Sequence, residues 1–227
     1  KVHHFLPPGS TAHKNFIVPW CDKIAKDSAG KLKCQIYPSM QLGGSPAQLY
    51  DQVKDGVVDI VWTVPSFQAG RFPVIEAFEL PFMVHDSERA SRGLWQYAMK
   101  NAAAEFKGVR PLLLHVHDGS LVHTAKKQVK TLEDFKGLKL RVPTRQGSKT
   151  LAALGAMPVS MPLSQTADAI AKGVIDGVLL PWEVIPSVKF DEVTKFHTEA
   201  EPGEAQMSNS VFLFGMNQDK YDALPAD

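Results

Sequence analysis

The sequence predicts an α/β protein of two lobes, on three observations. Its 227 residues suit one large domain or two of about 100. Helix-like and strand-like segments alternate, each closed by Gly or Pro, the pattern of α/β architecture with largely parallel sheets. An internal echo then links the two halves. Hydrophobic residues make up 44% of the chain and charged residues 22%, enough apolar content for a sizeable core.

The elements follow in order. His13 to Ser28 reads as a helix with Ile17, Trp20 and Ile24 on one face, stopped near Gly30. Leu32 to Tyr37 is a short strand ending at Pro38. Ser45-Pro46-Ala47-Gln48 supplies an N-cap serine, a proline at the first helical position and a glutamine at the third, and Gly56 ends that helix. Val57 to Val64 is an apolar strand closed by Pro65, Ser87 to Phe106 a long amphipathic helix, and Arg110 to His117 a strand. In the echo, Gly30 through Pro38 resembles Gly137 through Pro143, and Lys54 through Val61 resembles Lys172 through Val178. Each half thus runs helix, Gly, strand, helix, Gly, strand. Two such lobes imply a cleft between them, where small ligands bind. The expected boundaries are 1–119 for the first lobe, rejoined by 207–227, and 120–206 for the second. Asp118 to Lys130 is the crossover, and Glu199 to Ser208, interrupted by Pro202 and Gly203, the return.

Composition narrows the function. Twenty-five Lys and Arg against 24 Asp and Glu leave a net charge of +1, with no field to attract nucleic acid or an anionic membrane. The longest uncharged run, Thr150 to Ala167, holds Gly155, Pro158 and Pro162 and cannot span a bilayer. The chain opens at Lys1 without Met, so a removed targeting segment or an internal start is expected. Cys21 falls in the first helix and Cys34 in the strand after it. A helix turning back at Gly30 would bring them within bridging distance, and two unpaired buried thiols are the alternative.

Catalytic and metal signatures are lacking. His115, His117 and His123 have no cysteine partner or HExxH spacing to make a zinc site, and His3-His4 is equally bland unless it borders the cleft. No nucleophile elbow, P-loop or dinucleotide turn is present, and most carboxylates sit beside Lys or Arg as on a solvated surface. Neither a metal nor a cofactor is expected. What remains suits an anion. Arg141 ends the apolar strand Leu138 to Val142, where burying its charge is costly without a carboxylate partner. That partner is either an internal acid or a ligand, which a guanidinium grips through two parallel hydrogen bonds. Arg145 and Arg71 are weaker candidates in polar loops. Trp62, Trp182, Phe67 and Phe72 fall where strands end, the ligand-facing edge of an open α/β sheet.

Phe135-Lys136-Gly137-Leu138-Lys139-Leu140-Arg141-Val142-Pro143 resembles a motif of the solute-binding subunits of tripartite ATP-independent periplasmic (TRAP) transporters, the dicarboxylate-binding-protein type. Matching stretches at Ile36 to Gly44, Phe78 to Phe82, Leu154 to Val159, Gly173 to Gly177 and Asn217 to Asp227 follow in the right order over nearly the whole chain. The resemblance implies a two-lobe, periplasmic-binding-protein-like (type II) fold with a central ligand cleft. It also implies a periplasmic receptor that captures a small organic acid and delivers it to membrane permease subunits, and it makes Arg141 the residue that pairs with the ligand carboxylate. Family members usually continue past the position of Asp227 with helices that brace the lobes, so this chain is either a fragment or lacks that tail.

Two departures bear on the ligand. Leu121 stands where many sialate- and dicarboxylate-binding relatives carry a second arginine, and Leu180 where they carry an amide. Two leucines remove donors and add apolar surface. Trp182 and Trp62 can then stack on a ring, and His123 or Thr124 serve a keto or hydroxyl oxygen. Phe67, Thr144 and Arg71 complete the candidate site. The expected ligand is an apolar or aromatic monocarboxylate, a keto or hydroxy acid, with C4-dicarboxylates as the competing class. A sensing domain for the same acids is the alternative role. An enzyme acting on a carboxylate would need Ser148, Thr144 or Asp176 activated, and no histidine in the sequence stands ready to do it.

Overall fold

The computed structural model describes residues 1–201 and 203–225; Pro202, Ala226 and Asp227, all part of the sequence reading, lie outside the described residues. Ten strands form two five-stranded sheets. The first contains β1 (Val2–His4), β2 (Ile36–Tyr37), β3 (Ile60–Thr63), β4 (Val109–Val116) and β10 (Val211–Asn217), in the order β2-β1-β3-β10-β4. The second contains β5 (Leu121–Thr124), β6 (Lys139–Arg141), β7 (Met157–Val159), β8 (Gly177–Leu180) and β9 (Phe196–Thr198), in the order β7-β6-β8-β5-β9. The family's two-lobe α/β form is therefore present. Among the described residues no helix is long and apolar enough to cross a membrane.

The sheets are largely parallel, as expected, with one antiparallel strand in each. In each, four strands run in one direction and the fifth, from the chain's passage between sheets, runs against them: β10 between β3 and β4, and β5 between β8 and β9. A crossing strand enters from the far end of its sheet, so it can only run against its neighbours.

The same topology sorts the internal echo. Lys54–Val61 leads into β3 and Lys172–Val178 into β8, which hold equivalent places in the two sheets. Both preceding helices, α2 (Leu49–Lys54) and α6 (Leu163–Ala171), end alike. Gly56 and Gly173 take φ of +74° and +70°, which glycine adopts without steric cost, and the next amide bonds five residues back, Val57 to Gln52 and Val174 to Ala169. Asp59 and Asp176 then accept hydrogen bonds from the backbone nitrogens of Lys1 and Lys139, at the starts of β1 and β6. The other half of the echo fails. Gly30–Pro38 leads into the edge strand β2, whereas Gly137–Pro143 forms the inner strand β6. They share punctuation, not position.

Local departures have local causes. The first helix is two kinds of turn, wide π turns over Ala12–Ile17 and then α1 (Val18–Asp27). Pro19 has no N–H to give and its ring crowds the carbonyl four residues back, which a wider preceding turn relieves. The strand expected from Leu32 shrinks to Ile36–Tyr37, because Cys34 is drawn onto α1 by its bond to Cys21. The capping box at Ser45 and Gln48 forms as read. The long helix is α3 (Ser87–Asn101), capped by Asp86, with the residues up to Phe106 in a tighter turn.

Two stretches of chain join the sheets side by side: the Ser120 amide donates to Ser208 O at 2.8 Å, and Asn209 Nδ2 donates to His117 O at 2.8 Å. Nearby, Glu76 pairs with Arg145 at the start of α5 (Arg145–Ala153). Glu79 Oε1 accepts from Ser66 Oγ at 2.7 Å and from the Val211 amide at 3.0 Å. Burial of Glu79, with Glu76 beside it, pushes its carboxyl up to about 7.

Two outcomes are expected. A Cβ on Gly177 would lie 2.2 Å from His123 O, a backbone atom that cannot step aside. Gly177→Ala should therefore cost about 1–3 kcal/mol, read by urea denaturation. Glu79 keeps in the native state a proton that the unfolded chain has lost above its ordinary value, so it subtracts stability as pH rises toward and through 7. Glu79→Gln should remove this, gaining on the wild type from pH 5 to 8 by up to about 1.4 kcal/mol per pH unit. Parallel stability curves would show that Glu79 does not titrate there.

Candidate functional site

β6 places Arg141 by simple alternation. Leu140 points into the second lobe's core with Val122 and Leu179, so its neighbour Arg141 emerges on the opposite face, level with Val178 of β8. The side chain is only 3% exposed. Its Nε donates to Met161 O at 3.1 Å, and among the described residues it forms no ion pair. Burial alone lowers it to about 10, so it stays charged at neutral pH. Of the two partners open to it, an internal acid is not the one taken. Arg145 has Glu76, and Arg71 has Asp51 at 2.6 Å.

Arg141 faces a narrow cavity of about 40 Å³ and a neighbouring one of about 200 Å³, with Phe5, Phe67, Pro143 and Leu163 shared between them. The walls of the narrow cavity are aromatic. Trp62 stacks on Phe212 with centroids 4.6 Å apart and on Phe5 at 5.3 Å, and Phe67 meets Phe5 edge-on. Trp62 Nε1 donates to His115 Nε2 at 3.1 Å, which meets the indole's one polar need and fixes its plane. His115 in turn stacks on Phe212. Leu180 and Val184 add aliphatic surface from the second lobe, and His117, Ser120 and Ser210 bring the polar atoms of the linking stretches. The arrangement offers one desolvated cation, flat apolar walls, a few neutral hydrogen-bonding groups and the carboxyl of Glu183, which burial and the nearby Asp118 push above its ordinary value.

Of the nine residues named from sequence, the structure brings Arg141, Trp62, Phe67 and Leu180 to this cavity. The other five stand elsewhere. Leu121 pairs across the sheet from Leu180 but lies off the cavity wall. His123 is buried, held by Leu180 O at 2.9 Å and His197 Nδ1 at 2.8 Å. Trp182 is 41% exposed and donates to Glu199, with His123 and His197 against its ring. Thr144 caps α5, its hydroxyl accepting from the Gly147 amide at 3.2 Å. Arg71 lies over the Tyr50 ring and pairs with Asp51. Of the further residues named, Thr124 is tied to Lys127 O and Phe72 is packed on Tyr50 and Phe106. Sequence reasoning missed Phe5 and Phe212 as walls, and Ser120 and Ser210. It dismissed His117. Phe5 follows the His3-His4 pair already suspected of bordering the cleft. Phe212 gave no signal, because only the return of β10 to the first sheet brings it beside Trp62.

The family model for bacterial extracellular solute-binding proteins, family 7 (DctP), matches residues 2–227. The chain is similar to a crystal structure of a TRAP solute-binding protein from Rhodoferax ferrireducens in complex with copurified benzoate. Identity is 52%, coverage 100% of this chain and 70% of that one, and the TM-score 0.97. A second similar structure is a marine metagenome TRAP solute-binding protein specific for aromatic acid ligands, with co-crystallised 3-hydroxybenzoate. Here identity is 46%, coverage 99% and 70%, and the TM-score 0.95. The 2,3-diketo-L-gulonate-binding periplasmic protein YiaO of Escherichia coli is 29% identical over 89% of this chain and 61% of its own length. This chain thus spans about three fifths of that curated relative. Sequence motifs, two mixed sheets and these likenesses converge: the chain belongs to family 7 of the bacterial extracellular solute-binding proteins.

Proposed function

We propose that this chain is the ligand-capturing part of a periplasmic TRAP receptor for a small aromatic monocarboxylate, and that the full receptor hands the acid to membrane permease subunits. The observation that carries the reading is Arg141, a buried guanidinium that forms no ion pair among the described residues and faces aromatic walls. A buried cation without a partner is costly, and a ligand carboxylate is the partner that resolves the cost. Benzoate and 3-hydroxybenzoate in two similar structures support the same class. The cavity and its neighbour together fall below the roughly 300 Å³ at which drug-sized pockets begin, which favours a single ring.

A C4-dicarboxylate fits less well. It would need a second cation, and Arg145 and Arg71 are both engaged with acids of this chain. The proposed jaws are residues 1–119 with 207–227, and 120–206; the pairing of β10 with β3 and β4 supports that division. In this reading Arg141 grips the carboxylate while Trp62, Phe67 and Leu180 hold the ring. Trp182, Leu121, His123, Thr144 and Arg71 lie outside the cavity described. Capture requires no catalysis, since closure around the acid suffices to select the liganded state. The Cys21–Cys34 bond suits the oxidising periplasm.

Calorimetric titration with benzoate, 3-hydroxybenzoate and succinate tests the class, with the two aromatic acids expected to bind and succinate not. Arg141→Ala should weaken benzoate binding by about 2–5 kcal/mol, and Arg141→Lys should lose most of it, since a point charge cannot make the paired grip. Succinate binding tighter than both aromatic acids would overturn the aromatic reading.

Arg141→Met should separate binding from stability. The ligand-free variant should melt at or above the wild type, about 1–3 kcal/mol more stable, while benzoate binding is lost. A large loss of stability would mean that Arg141 is structural.

A further inference from the structure

Four buried side-chain polar atoms have no hydrogen-bond partner among the described residues: His4 Nδ1, Glu79 Oε2, Arg145 Nε and His117 Nδ1. Only His117 belongs to a residue that lines the Arg141 cavity. It follows β4 directly, where the chain leaves the first sheet, and its backbone is pinned by Asn209 Nδ2 on the returning stretch. The imidazole is 6% exposed and meets the Phe212 ring edge-on, 5.8 Å between centroids. It is thus a buried polar edge in a wall that it shares with Phe212, Ser120 and Ser210.

Buried polar atoms in native structures nearly always have a partner, so one left open on a side chain that lines a binding cavity points to the ligand. A second carboxylate is a poor match, because among the described lining residues Arg141 is the one cation and Glu183 already brings an acid. A hydroxyl is a good one, since it both donates and accepts and therefore satisfies Nδ1 in either tautomer. A carbonyl or halogen serves only the protonated nitrogen.

We infer that His117 is the specificity-determining residue that recognises a ring hydroxyl, which makes hydroxylated aromatic monocarboxylates the preferred ligands of this chain. The inference rests on the aromatic-acid reading above and deepens it. Burial, with His115 nearby, outweighs a hydrogen bond between the ring and the Gly119 backbone and holds His117 down at about 3, so the imidazole is neutral from pH 5 to 8. The preference for a hydroxyl should be flat across that range.

The test is calorimetric titration of the wild type and His117→Phe with benzoate, the three hydroxybenzoates and the matching fluorobenzoates. In the wild type at least one hydroxy isomer should bind about 3- to 10-fold tighter than both benzoate and its fluoro counterpart. In His117→Phe the ratio of hydroxy-isomer to benzoate affinity should fall to about one, whatever the absolute affinity for benzoate. An advantage that survives in His117→Phe overturns the inference. So does a wild type that binds benzoate but gains nothing from any hydroxyl. If no aromatic acid binds the wild type, the aromatic-acid reading falls and takes the inference with it. Should His117→Phe not fold, the imidazole nitrogen resonances of wild-type His117 decide: they should shift with the best hydroxy isomer and not with its fluoro analogue, and equal shifts would overturn the inference.

Discussion

A guanidinium held out of water without a carboxylate beside it sets the terms for everything around it. Arg141 cannot shed its charge at neutral pH, and its neighbours on the same face are Val178 and Leu180, which solvate nothing. A fold tolerates such a group only when the rest of the structure fixes it in place, and here β6 sits between β7 and β8 with Leu140 anchored in the second core. The low-dielectric setting that makes the bare cation expensive also strengthens its attraction for an incoming anion. Stability and affinity are therefore opposed at this one residue.

The walls depend on the same economy of polar groups. Trp62 is fixed by Phe5 and Phe212 on its faces and by His115 at its nitrogen, so the ring stack keeps its shape without a ligand to template it. The stack is continuous with a hydrophobic cluster drawn from both sheets, including Val2 and Ile60 of the first and Val178 and Leu180 of the second. The surface a ligand would meet is thus an outcrop of the core that packs the two lobes together.

Much of this was legible in the sequence because it rests on local chemistry. Glycine and proline punctuation marked the elements, the Ser45 capping box formed as read, and the cysteine spacing allowed the bond that formed. Arg141 stood out because a charge inside an apolar strand demands a reason. What escaped depends on pairings distant in the chain. Nothing near Phe212 announces that it will stack on Trp62, 150 residues earlier in numbering. His123 and Trp182 have the chemistry of ligand contacts, yet the register of β5 with β8 and β9 turns them toward each other and His197. Antiparallel crossing strands escaped for the same reason, since hydrophobic alternation does not encode strand direction.

The insertion of β10 between β3 and β4 also fixes an order of assembly. Residues 120–206 carry every strand of the second sheet, so that sheet can close as soon as its own stretch of chain exists. The first sheet cannot. The place between β3 and β4 stays open until Val211–Asn217 arrives, and until then β3 and β4 each present an unpaired edge to solvent. Closing the gap joins residues far apart in the chain, a slow step for any polypeptide. The half that forms its first strands earliest is therefore the last to be finished, and its open edges are the part of this protein most in need of shielding while it folds.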